Sequence, residues 1–147
     1  MRWITLTRLA RVLVLLPCLA MTVPAFAQTG ETPATLDGAK TIAAADAKAL
    51  LAKGAKVFDV RKKASFADGH IPGAKSASAA VNANDKTMDT AILGADKDAV
   101  IIIHGHGTDG WSAVYAVKAA VAAGFKNVNW LRSGWADWSA SGFPVEN

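Results

Sequence analysis

Cysteine is almost missing from this 147-residue chain, whose only thiol is Cys18. Arg2, Arg8 and Arg11 precede an apolar stretch from Val12 to Val23, and Ala25-Phe26-Ala27 has the small-residue pattern of a cleavage site. Residues 1–27 are therefore predicted to be a cleavable secretory signal, with the mature chain starting at Gln28. Pro17 before Cys18 fits poorly with a lipid-attachment signal. Cleavage after Ala27 removes the one thiol, which excludes disulfides, thiol oxidation and a thiolate nucleophile from the mature protein.

Long apolar runs and clusters of like charge are also scarce. The stretch Val12 to Val23 is too short to span a bilayer, and no other stretch qualifies, so no membrane attachment is expected after cleavage. The signal carries three arginines and no acid, so the formal charge falls from +4 to about +1 over the remaining 120 residues. No Lys/Arg cluster is left, which argues against a nucleic-acid surface. The predicted destination is the periplasm or the cell exterior, and no cofactor is expected.

What is present is an alternation of strand and helix signals. Residues 28–40 are rich in Thr, Gly, Pro and Ala and read as a linker, with a single domain over 41–147. Ala43 to Lys53 predicts a helix stopped by Gly54, and Trp111 to Ala123 a second stopped by Gly124. Ala64 to Asp68 predicts one helical turn, Thr87 to Leu93 a weak helix, and Trp135 to Ala140 a last short one. Strands are expected at Val57 to Val60, Ala74 to Ala77, Val100 to Ile103 and Val128 to Leu131. The run Val100 to Ile103 is apolar at every position, as a parallel strand covered on both faces must be. This order predicts an α/β three-layer sandwich, a mostly parallel central sheet flanked by helices. Ligands of such sheets sit beyond the carboxyl ends of the strands, where the loop from His104 to Gly110 lies.

Three segments resemble the rhodanese-like family. They are Asp59-Val60-Arg61 with Phe66 and Gly69-His70-Ile71-Pro72-Gly73-Ala74, then Ile101 to Gly107, then Ala123 to Val128 with Leu131, Gly134, Trp138 and Gly142-Phe143-Pro144-Val145. The likeness covers residues 41 to 145. It implies the sulfurtransferase fold, in which active members carry Cys-x-x-Gly-x-Arg or similar in the loop. The cysteine takes sulfur as a persulfide, stabilised by loop N–H groups and the helix dipole. In this sequence His104 stands at the cysteine position, Gly107 at the glycine and Asp109 near the arginine. In another registration Gly107-Thr108-Asp109-Gly110-Trp111 resembles a Cys-x-x-Cys-Trp segment with glycine at both cysteines. Either way the site has no thiol, and the resemblance implies an inactive homologue.

The loop His104-Gly105-His106-Gly107-Thr108-Asp109-Gly110-Trp111 is the candidate ligand site, with Asp59, Arg61 and His70 in support. Its glycines allow close backbone approach to an anion. Protonated His104 or His106 would add positive charge and strengthen binding toward pH about 6. His104 and His106 are also weak candidates for metal ligands, for which Asp59, His70 and Asp109 are the remaining donors. No metal is expected. Arg61 is expected to pair with an acid such as Asp68. Trp111, Trp130 and Trp135 are candidate walls of a pocket, and Trp138 a core residue. The leading reading is an exported module that binds an anion, a small ligand or a protein. The alternatives are a histidine- or metal-assisted enzyme related to the sulfurtransferases, or a subunit that takes its cysteine from a partner.

Overall fold

The computed structural model describes residues 29–147. The predicted signal and its cleavage point lie outside the described residues. Seven strands and four helices follow in the order β1 (Ala39–Ile42), α1 (Ala44–Ala52), β2 (Lys56–Asp59), α2 (Lys63–Asp68), β3 (Lys75–Ser76), β4 (Val81–Asn82), β5 (Thr87–Met88), β6 (Val100–His104), α3 (Trp111–Ala122), β7 (Asn127–Leu131) and α4 (Gly134–Ala140). Five strands form one parallel sheet in the order β1-β7-β6-β2-β3. The expected parallel three-layer sandwich is what the chain forms.

Alternation along the strands divides the core in two. Phe58, Ile101, Ile103, Val128 and Trp130 face α3 and pack on Val114, Val117 and Ala120. Val57, Ile102 and Leu131 face the other way, toward Ala47, Trp138 and the layer of α1 and α4. Ile101, Ile102 and Ile103 are fully buried, so β6 is covered on both faces. Burial of this kind stabilises by about 25 cal/mol per Å² of apolar surface removed from water.

Two expectations are corrected. The predicted linker ends in β1, whose Ala39 to Ile42 pair with Val128 to Leu131. Residues 30–33 before it are tied to the candidate loop, as described below. The predicted helix from Thr87 to Leu93 is instead β5 followed by a 3-10 turn over Thr90–Leu93. Asn82 causes this, since its Oδ1 accepts from the N–H groups of Asn84 and Asp85 and folds β4 back onto β5. Asp89 then caps the turn by accepting from the Ala91 N–H.

Among the described residues, no helix is long and apolar enough to cross a membrane.

Candidate functional site

Strands β2 and β6 are parallel neighbours, with Asp59 beside His104 in register. Both side chains sit at the carboxyl end of the sheet, as expected, and both are fully buried. Arg61 belongs to the same buried group. Its guanidinium holds Asp59 at 2.6 Å from Nη and 2.9 Å from Nε, and donates to the Gly69 carbonyl at 2.7 Å. The Trp135 ring lies 4.4 Å from the guanidinium carbon. The expected pairing of Arg61 with Asp68 does not form, because the Asp59 carboxylate is two residues away and also accepts the Arg61 backbone N–H. A buried charge needs a partner of this quality.

His104 is part of this interior. Its Nδ1 donates to the Gly105 carbonyl at 3.1 Å, so in the neutral ring Nε2 is bare. Nε2 is buried without a hydrogen bond, 3.7 Å from Asp59 Oδ2. Burial holds the pKa of His104 below its usual value; Asp59 and the bond to Gly105 oppose that shift, and Arg61 and His106 add to it. His104 is therefore a neutral, buried base at pH 7. The expectation that it lends positive charge to a ligand near pH 6 is corrected for this residue.

The loop above it has an ordered backbone. The carbonyls of Gly105 and His106 accept from the N–H groups of Trp135 and Ala136. Those of Gly107, Asp109 and Gly110 accept from Gly110, Trp111 and Ala113. The Thr108 carbonyl accepts twice from Thr32, at 2.8 Å from N–H and 2.7 Å from Oγ1. Every carbonyl from 105 to 110 thus accepts a hydrogen bond from within the protein. The N–H groups of His106, Gly107, Thr108 and Asp109 meet no acceptor among the described residues. Occupied carbonyls beside free N–H groups are what an anion-binding loop requires.

Two glycines permit this packing. Gly134 sits at φ 58°, and a Cβ there would run into the Gly105 carbonyl and the backbone of His106. A Cβ on Gly110 would lie 2.9 Å from the Gly107 carbonyl oxygen. Outside the loop, residues 30–33 form a strap. Trp111 Nε1 donates to the Gly30 carbonyl at 3.0 Å, and Arg132 donates to the carbonyls of Thr32 and Pro33 at 2.7 and 2.8 Å. The segment read as a linker therefore holds the loop in place.

A cleft of about 510 Å³ opens beside the loop, lined by Gly105, His106, Asp109, Gly110 and Trp111 among others. His104 lies beneath it and is not part of its wall. His70 is also elsewhere. Its backbone pairs with Glu146, its Nδ1 lies 3.0 Å from the Phe66 carbonyl, and its ring stacks on Phe66 at 3.9 Å. It fastens the C-terminal residues. Trp130 is buried in the core, as is Trp138, so only Trp111 of the candidate tryptophans walls the main cleft. Trp135 lines a smaller hollow with Arg61 and His106. Among the described residues, no three His, Cys, Asp or Glu gather to hold a metal ion.

Lys62, Lys86, Asn84 and Tyr115 also line the cleft, and sequence reasoning missed them. Lys62 adjoins the Asp59-Val60-Arg61 segment, which was a usable signal. Lys86 arrives through the β4–β5 hairpin, for which no local pattern spoke.

The family described as the rhodanese-like domain matches residues 43–141. A curated relative, the thiosulfate sulfurtransferase GlpE of Pseudomonas fluorescens (strain Pf0-1), is 36% identical over 110 residues, spanning 73% of this chain and 90% of its own. Among solved structures, the Alr3790 protein from Anabaena sp. is 31% identical with a TM-score of 0.56, over 71% of this chain and 89% of that one. A thiosulfate sulfurtransferase from Pseudomonas aeruginosa is 26% identical with a TM-score of 0.59; the match covers 74% of this chain and 20% of that protein.

Proposed function

We propose that this chain, which belongs to the rhodanese-like domain family, binds an anion or an anionic partner group at the loop and does not transfer sulfur. One observation carries the reading: the loop offers free backbone N–H groups around a position that has no thiol. His104 takes the place of the family's nucleophile. A persulfide needs a sulfur atom, and an imidazole cannot supply one.

Histidine does not stand in for the thiol as a nucleophile. His104 is fully buried, and its free nitrogen lies near Asp59 in the interior while the cleft is walled by other residues. A nucleophile or general base must come within hydrogen-bond reach of the reacting group. These facts argue against the histidine-based enzyme. The basic start of the chain and Ala25-Phe26-Ala27 support export to the periplasm or beyond, with the mature protein starting at Gln28.

The test is sulfur transfer from thiosulfate to cyanide by the purified chain, run with and without Cys18→Ser. The expected result is no turnover in either, together with saturable binding of thiosulfate, sulfate or an organic anion. Turnover that survives Cys18→Ser overturns the reading. The mass of the protein recovered from the extracytoplasmic fraction checks the start at Gln28.

A further inference from the structure

The cleft is much larger than a bare oxyanion requires. Its volume of about 510 Å³ falls among organic-ligand pockets, which run from about 300 to 1,000 Å³. Its walls are of two kinds. One is aromatic and apolar: the Trp111 and Tyr115 rings stand 6.4 Å apart, tilted by 34°, with Val60 and Ala83 nearby. The other is cationic, with the exposed Lys62 after β2 and Lys86 on the hairpin.

Lys86 is held there at a conformational cost. Among the described residues it is the one non-glycine at positive φ, at 54°. A lysine in the left-handed region is disfavoured, and glycine or asparagine is the usual occupant. The Asn82 turn imposes the conformation and places Lys86 beside the cleft. Neither Lys62 nor Lys86 has a carboxylate partner among the described residues.

Charge sets the valence of the ligand. Arg61 also reaches the cleft, but Asp59 neutralises it from beneath. Asp109 is the one acid in the lining and offsets one of the two lysines. One positive charge remains in a lining that also includes His106 and Asp109, two of the loop residues with free N–H groups.

We infer that the cleft takes an organic monoanion with a flat apolar body, its anionic head toward the lysines and loop and its body against Trp111 and Tyr115. This rests on the anion-binding reading above and narrows it to a ligand class. The aromatic wall supplies apolar contact that sulfate or thiosulfate cannot use.

Isothermal titration of the full chain tests it with naphthalene-2-sulfonate, 2-naphthol, sulfate and thiosulfate. Naphthalene-2-sulfonate is expected to bind saturably and about tenfold or more tighter than any of the other three. The exposed pair Lys62→Gln/Lys86→Gln is expected to weaken it about five- to tenfold, and added salt to narrow that gap. Sulfate or thiosulfate binding as tightly as the aryl sulfonate overturns the inference and leaves anion binding standing. Aryl sulfonate binding that ignores the lysine pair, or no binding by any probe, also overturns it. Cyanide-dependent sulfur transfer overturns the sulfur-inactive reading and leaves an aryl-sulfonate preference intact, so the two failures are separable.

Discussion

Two polar groups lie on either side of one loop. Beneath it, Asp59, Arg61 and His104 are buried, and the two charged members are closed on each other. Above it, Lys62, Lys86 and Asp109 are exposed around an open cleft, and the lysines have no carboxylate partner among the described residues. The lower group has its charges satisfied and its base neutral, so it holds the carboxyl end of the sheet together. The upper group has uncommitted charge and free N–H donors, and the proposed anion binding rests on these. The residue types alone do not separate these roles; burial does. A charge deprived of water must find its partner inside the protein, whereas an exposed one can wait for a partner from solution.

The largest expected effect breaks the lower group. Asp59→Ala leaves the Arg61 guanidinium buried without its carboxylate and should cost about 3–5 kcal/mol of stability in urea unfolding. Asp59→Leu with Arg61→Leu should cost less than the sum of the single changes, because no charge is stranded. Additive losses would show that the two do not act as a pair.

Gly134→Ala joins the two regions. It sets a Cβ against the Gly105 carbonyl at a left-handed position, and a loss of about 2–3 kcal/mol is expected. Anion affinity should fall with it, because Trp135 and Ala136 no longer hold the loop carbonyls. Unchanged affinity would separate the cradle from this turn.

Thr32→Val acts on the upper side alone. It removes the hydroxyl donor to Thr108 and should cost about 1 kcal/mol. Faster amide exchange confined to residues 105–111 is the expected signature. A change spread over the sheet would contradict a strap that serves the loop.

The smallest expected effect is a slope. Burial lowers the pKa of His104 in the folded state, so the unfolded chain binds its proton first as pH falls. The contribution of His104 to stability is complete above the unfolded value of about 6.5. It is lost progressively as pH drops from there toward the lower folded value. Thermal midpoints between pH 7.5 and 5.5 should fall less steeply in His104→Gln than in the parent chain. Parallel curves would mean that His104 is protonated alike in both states.

Local pattern made much of the fold legible. The β-branched run at Ile101 to Ile103 announced a strand covered on both faces, and Gly54 and Gly124 announced helix ends. β1 was missed because Lys40 and Thr41 break any apolar run and only Ile42 is buried in it. Its strand character comes from β7, a partner more than eighty residues away. The hairpin was missed because two-residue strands carry no period, and its turn depends on one asparagine side chain.

The candidate loop was legible as a position and only partly as a site. A glycine-rich stretch after a buried strand points to the carboxyl end of a sheet, which is where the loop lies. His104 and His106 looked equivalent by spacing, yet one is fully buried and the other exposed. Strand β6 ends on His104, so its side chain follows the inward alternation of the strand, and His106 has left the strand.

The α/β order, the absence of a thiol after Ala27 and the place of the loop were readable along the chain, because composition and short-range periodicity are properties of neighbours in it. Tertiary structure decided which charges are closed and which are open, that residues 30–33 strap the loop, and that Lys86 faces the cleft. Those outcomes depend on water being excluded from one side of the loop and admitted to the other, and that is set by segments brought together from across the whole chain.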